Sequence, residues 1–159
     1  LQAAGVPALP VHPLSVAVRD ANAELTLPLE PTRTMLAEGF VPVLHGDVVA
    51  EAEAGATIIS GDELVTRLAT GLSADRVGLC STVPGVYDDD GAVIPRISGF
   101  AQVDAVLGGS ESTDVTGGMA EKVRALLALD SPAQIFGPES LPAFLAGESA
   151  GTVVDGGAE

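Results

Sequence analysis

Apolar and polar positions along this 159-residue chain follow two rhythms. Four short runs are apolar at nearly every position: residues 40–44 (FVPVL), 56–59 (ATII), 76–80 (RVGLC) and 133–136 (AQIF). Such runs predict strands buried on both faces. Between them the spacing turns helical. Residues 32–38 place Met35 and Leu36 inward with Gly39 as C-cap, and residues 63–69 place Leu64, Val65 and Leu68 on one face. Residues 100–107 predict a weak helix, 119–129 a clear one with Met119, Val123, Leu126 and Leu127 inward, and 141–146 a short one. Residues 21–29 alternate, Glu24 and Thr26 against Leu25 and Leu27, which predicts a half-exposed strand kept at an edge by Pro28. Pro10 and Pro13 break residues 8–18 into an irregular edge with a short strand. A turn at Asp88-Asp89-Asp90-Gly91 precedes a short strand over 92–94, residues 108–118 form a Gly/Ser/Thr loop, and 151–154 form a terminal strand. Strands apolar on both faces and separated by helices predict an α/β fold, a mostly parallel central sheet covered on both sides. No internal repeat interrupts this order, and the length suits one domain or part of one.

Composition changes this picture in one respect. With 47% hydrophobic residues a core is available, but 22 Asp and Glu against 7 Lys and Arg give a net charge of −15. That balance argues against nucleic-acid phosphate or anionic membrane as the main partner. Six of the seven bases are Arg; Lys122 is the single lysine. Aromatic residues are 3%, without Trp. An acidic, lysine-poor surface over an Ala- and Val-rich core fits a cytoplasm full of salt, where at about 1 M the Debye length falls to roughly 3 Å and self-repulsion is screened. No apolar run reaches the ~18 residues of a membrane-spanning helix. One cysteine excludes a disulfide framework and a Cys-rich zinc site, and Cys80, ending an apolar strand, reads as an inert core thiol. His12 has no partner visible in the sequence, and His45 reads as a structural histidine at a strand end. Three adjacent carboxylates at 88–90 read as a solvated turn, since metal loops space their ligands.

Candidate chemistry falls where strands give way to helices, because helix N-termini favour anions. Ser60-Gly61-Asp62 lies between a strand and a helix: Gly61 admits a phosphate to the backbone and Asp62 is a candidate N-cap. In residues 81–87 (STVPGVY), Ser81 and Thr82 offer hydroxyls and Gly85 is read as supplying the turn's φ. In residues 113–122 (TDVTGGMAEK), Asp114 and Thr116 precede Gly117 and Gly118, and Lys122 follows one turn into a helix, a pattern that suits a phosphate cradle. There is no GxxxxGK[ST] loop and no GxGxxG.

These loops in this order, GFVPVLHGDVV (39–49), ATIISGDELV (56–65), STVPGVYDDDG (81–91), TDVTGGMAEKV (113–123) and the ending FGPESLPAFLAGESAGTVV, resemble the amino acid kinase superfamily. Within it they look like the isopentenyl phosphate kinases of archaea, including the acidic, salt-loving members. The resemblance implies a three-layer αβα sandwich and transfer of the ATP γ-phosphoryl to isopentenyl phosphate, giving isopentenyl diphosphate and ADP, with Mg²⁺ bridging phosphates. It further implies that Gly61, with Asp62 beside it, binds the acceptor phosphate. Ser81, Thr82, Gly117, Gly118 and Lys122 would hold ATP, with Lys122 acting catalytically at the β/γ-phosphates. Two departures stand out. Thr82 and Pro84 occupy positions where the superfamily often has aspartates, and the family's opening strand, Lys-containing GGS loop and glycine-rich acceptor loop have no counterpart. The resemblance therefore assigns residues 1–159 to the C-terminal, nucleotide-binding portion of a single domain, incomplete at its N-terminus. It implies no turnover by this chain alone, and exposed sheet edge and apolar surface. Other superfamily kinases, acting on a carboxylate, carbamate, phosphonate or nucleoside monophosphate, and a non-catalytic nucleotide-binding remnant are the alternatives. A homodimer and a cytoplasmic location complete the expectations.

Overall fold

The structure, a computed structural model, describes residues 1–107 and 118–156. The chain divides into two compact units, Leu1–Leu72 and Ser73–Glu159.

The first unit contains β1 (Ala8–Pro10), α1 (Pro13–Val16), β2 (Val18–Arg19), β3 (Leu25–Thr26), α2 (Glu30–Ala37), β4 (Val41–Val43), β5 (Asp47–Glu51), β6 (Gly55–Ile59) and α3 (Gly61–Leu72). β1 pairs with β4 in parallel, and a four-stranded sheet runs in the order β3-β2-β5-β6. β3 stands at the edge of that sheet with Leu25 and Leu27 buried, as the alternation requires. Its core is Ala17, Leu25, Leu27, Val49, Ile59 and Leu64. Residues 47–51 were not anticipated as a strand. They form a hairpin with β6, in register Asp47↔Ile59 through Glu51↔Gly55, around a turn whose Gly55 has φ +80°. A connection this short joins only antiparallel strands.

The second unit contains β7 (Val77–Cys80), β8 (Arg96–Ile97), α4 (Asp104–Leu107), α5 (Gly118–Leu127), β9 (Ala133–Phe136), α6 (Leu141–Leu145) and β10 (Thr152–Val154). The order is β7-β9-β10-β8, parallel except for the β9–β10 pair. Ile135, Phe136, Val154, Val123 and Leu126 are fully buried, joining this sheet's side chains to the inner face of α5. Phe136 stacks on Phe144 at 4.9 Å, and Arg76 lies over the Phe144 ring while donating to its carbonyl at 2.7 Å.

The α/β class is as expected. Parallel pairings predominate only narrowly among the described strands, because the β5–β6 hairpin and the β2–β3 and β9–β10 contacts are antiparallel. Several burial expectations are corrected. Phe40, Val41 and Val43 are exposed, since β4 has only the short β1 beside it. β6 is an edge strand, and Ile58, paired with Val48 on the outer face, is 68% exposed while Ile59 points into the core. On α2 the buried side chain is Thr32, and Leu36 is exposed. Cys80 is exposed, because the inward positions of β7 are Val77 and Leu79. The acidic turn is as expected: Asp88 Oδ1 accepts from the Asp90 and Ala92 N–H groups, and Gly91 has φ +78°. No described helix is long and apolar enough to cross a membrane.

Candidate functional site

In the first unit the chemistry gathers at the N-terminus of α3. Ser60, rather than Asp62, caps the helix: its Oγ accepts the Glu63 N–H at 3.1 Å and its carbonyl accepts the Leu64 N–H. The spacing Ser60-x-x-Glu63 is that of a capping box, yet the Glu63 carboxylate turns to Arg19. Arg19 Nη2 contacts both Glu63 oxygens at 2.5 and 2.6 Å, and its Nη1 donates to the Ala23 carbonyl. Arg19 thus neutralises one of the two carboxylates in the first turn of α3. Without that, Asp62 and Glu63 together would oppose a second anion at the helix dipole.

Gly61 opens α3 outside the left-handed region of φ, and a Cβ built there meets nothing within 4 Å. Neither backbone strain nor packing calls for glycine at this exposed position. Behind it lies the turn His45-Gly46-Asp47. A Cβ on Gly46 would stand 3.2 Å from the Ile59 carbonyl oxygen and 3.4 Å from the Gly61 nitrogen. His45 is not isolated: its Nε2 lies 3.3 Å from His12 Nδ1, with the rings edge to face, and its Nδ1 lies 2.8 Å from the Gly46 carbonyl oxygen. Asp47 accepts the Leu14 N–H at 3.1 Å and the Val48 N–H at 2.8 Å. Those two amides, the Leu14 bond first, hold its carboxyl below the usual carboxylate range, and the two histidines act in the same direction. The His12–His45 contact and the Arg19–Glu63 pair leave no trace in the local sequence, because the partners lie 33 and 44 residues apart. Only Ser60-x-x-Glu63 offered a local signal.

In the second unit, Ser81 follows β7 directly and its N–H donates to the Phe136 carbonyl at 2.8 Å; Thr82 is exposed. The far end of this loop is pinned by the fully buried Thr152, whose Oγ1 accepts the Val86 N–H at 2.8 Å. Gly85 is required for space and not, as expected, for φ. Its φ is ordinary, and a Cβ there would lie 2.6 Å from Val93 Cγ1 and 2.7 Å from Thr152 Oγ1. Gly118 opens α5 with φ +47°, a conformation that favours glycine. Lys122 lies one turn further on and is half-buried. Next to it, Arg124 pairs with Glu121 at 2.7 Å and stacks 3.8 Å over Phe100. Thr113, Asp114, Thr116 and Gly117 lie outside the described residues. Gly61 and Asp62 therefore belong to one unit, and Ser81, Thr82, Gly118 and Lys122 to the other.

Comparison with known proteins shows the family of this chain. The amino acid kinase family profile matches residues 1–130. An isopentenyl phosphate kinase of Haloferax volcanii is 67% identical over 98% of this chain and 63% of its own length. That of Methanocaldococcus jannaschii is 38% identical over 77% of this chain and 47% of its own length. Among solved structures, an isopentenyl phosphate kinase superposes with a TM-score of 0.75 at 28% identity, covering 96% of this chain and 60% of that one. The isopentenyl phosphate kinase of T. acidophilum, in a product complex, superposes with a TM-score of 0.67 at 20% identity, covering 94% of this chain and 60% of that one, and bears on the fold alone. This chain thus spans about three-fifths of the Haloferax relative and of these solved chains. With the family profile matching residues 1–130 and a relative 67% identical over 98% of its length, the chain belongs to the amino acid kinase family.

Proposed function

We propose that the protein to which this chain belongs is an ATP-dependent kinase that phosphorylates isopentenyl phosphate, giving isopentenyl diphosphate and ADP. The observation that carries the reading is the 67% identity, across nearly the whole chain, to the Haloferax isopentenyl phosphate kinase. An exposed Gly61 with free space on its side-chain side, at the start of a 12-residue helix, supports a role in receiving the acceptor phosphate, with Asp62 beside it. Ser81, Thr82, Gly117, Gly118 and Lys122 are the proposed ATP-binding residues, and Lys122 supplies positive charge to the β/γ-phosphates as transfer proceeds. ATP supplies the phosphoryl group, and the protein's own contribution is positioning and electrostatic stabilisation. Mg²⁺ would bridge the phosphates of the bound nucleotide and offset their charge. A cytoplasmic location and a homodimer go with this reading; sedimentation at about 2 M KCl measures the latter.

The test is a substrate panel on a chain extended to the relatives' length. Transfer to isopentenyl phosphate, with none to carboxylates, carbamate or nucleoside monophosphates, is expected. Transfer to a carboxylate instead moves the protein to another branch of the family. Lys122→Met should weaken ATP binding at least tenfold by calorimetry, and an unchanged affinity removes Lys122 from the nucleotide site.

A further inference from the structure

The histidine contact in the first unit has a definite proton logic. A carbonyl oxygen only accepts, so His45 Nδ1, 2.8 Å from the Gly46 oxygen, carries its hydrogen and donates it. In the neutral ring that leaves Nε2 as an acceptor. The atom facing it at 3.3 Å is His12 Nδ1, which must then be the donor. Both imidazoles are thereby fixed as Nδ1–H tautomers, each oriented by the next: His12 to His45, His45 to the Gly46 carbonyl. The next link is one of space: Gly46 lies beside the Ile59 carbonyl and the Gly61 nitrogen closely enough that an added Cβ would stand 3.2 and 3.4 Å from them. Asp47 closes the arrangement by holding the Leu14 N–H, which fixes the segment that carries His12 to the turn that carries His45. The elements flanking the pair, α1 and β4, bring no titratable side chain, β5 brings Asp47 and Glu51, and Asp62 and Glu63 open α3 beyond Gly61.

We propose that His12 and His45 form a tautomer-locked pair holding the Gly46 backbone against the Gly61 amide, which makes both positioning residues for the anion that this amide receives. The proposal rests on the reading of Gly61 as part of the acceptor-phosphate site. Neither histidine touches the anion; each acts through the turn, and the pair sets how rigidly the amide is presented.

The experiment separates these layers. Long-range proton–nitrogen spectra of the ¹⁵N-labelled chain at pH 8 should show both rings as Nδ1–H tautomers. His12→Leu, which keeps bulk but removes the donor, should return His45 to a mixture of tautomers and move the Gly61 amide resonance. His12→Asn, which keeps an N–H close to the Nδ1 position, should restore both signals. In the extended chain, isopentenyl phosphate affinity should fall about fivefold in His12→Leu, the worth of one ordinary hydrogen bond, and recover in His12→Asn, with ATP affinity unchanged in both. An Nε2–H tautomer at His45, an unmoved Gly61 resonance, or an Asn variant no better than Leu overturns the pair. If the parent binds no isopentenyl phosphate while the spectra behave as described, the substrate reading fails and the pair stands.

Discussion

Gly85→Ala tests whether the Ser81–Tyr87 loop is held by close packing. Because φ at Gly85 lies outside the left-handed region, alanine imposes no backbone strain there. At a position open to a methyl group, the exchange would stabilise by about 0.4–1 kcal/mol through the unfolded chain. The structure leaves no such opening, since the added Cβ falls 2.6 Å from Val93 Cγ1 and 2.7 Å from Thr152 Oγ1. Overpacking of this kind costs about 1–3 kcal/mol. Should Thr152 rotate away, the buried Val86 N–H also loses its acceptor, at a further ~1–3 kcal/mol. With the Val86 bond lost and the entropic gain subtracted, net destabilisation is therefore about 1–6 kcal/mol, read from chemical denaturation at constant high salt. Val93→Ala removes one of the two obstructing groups, so the Gly85→Ala, Val93→Ala double variant should show a favourable coupling of at least ~0.5 kcal/mol. A neutral Gly85→Ala, or strictly additive variants, would refute the packing account.

Other outcomes follow from the first unit. Asp47 is held below its ordinary value of 3.8 chiefly by the Leu14 and Val48 amides, so the unfolded chain takes up its proton first as pH falls. Its contribution is present above pH ~4 and lost on descent through the lower folded value. Acid denaturation followed from pH 5 to 2 should be shallower in Asp47→Asn, whereas an unchanged profile removes Asp47 from the account; Asp20, lowered by the Glu24 and Asn22 amides, keeps its own share in both proteins. Arg19→Met leaves the partly buried Glu63 carboxylate without its partner and should cost about 1–3 kcal/mol in a urea titration, with part of the loss recovered when Glu63→Gln is added. No recovery in the double variant would mean that the Arg19 stem, not its charge, carries the effect.

Legibility in the sequence followed the range of the interaction. The edge strand at Leu25, the α5 helix, β9 and the acidic turn were readable because alternation, helical spacing and Asp-Gly chemistry act over a few residues. The strand at 47–51 was not: Asp47, Val48, Val49, Ala50 and Glu51 match neither a fully buried run nor a clean amphipathic alternation, because Val48 and Ala50 face outward while Val49 faces the core. Phe40, Ile58 and Cys80 are exposed for a related reason. An apolar run says that a strand suits a sheet buried on both faces, but only an element packed over the second face buries it. In the first unit, Gly61 stood out in the sequence as a single residue. The side-chain contacts near it did not, since Arg19 meets Glu63, and His12 meets His45, only once the fold brings distant segments together.

The charge balance sets a last constraint on the proposed chemistry. A phosphate arriving at Gly61 approaches a chain of net charge −15 and a helix whose first turn holds Asp62 and Glu63. Arg19 offsets Glu63 locally, but the remaining repulsion comes from charges spread over the surface. At about 0.1 M salt the Debye length is roughly 10 Å and much of that field reaches the site; at about 1 M it is roughly 3 Å, and only groups in direct contact with the anion still act on it. Short-range attraction from the Gly61 amide survives this screening, whereas long-range repulsion does not. In most proteins salt weakens phosphate binding, because attraction to a basic surface is what it screens. Here the sign should reverse: isopentenyl phosphate affinity of the extended chain should rise between 0.1 and 1 M KCl, measured by calorimetry above the salt needed for folding. An affinity that falls across that range would mean that a basic cluster, rather than a backbone cradle assisted by few cations, receives the phosphate.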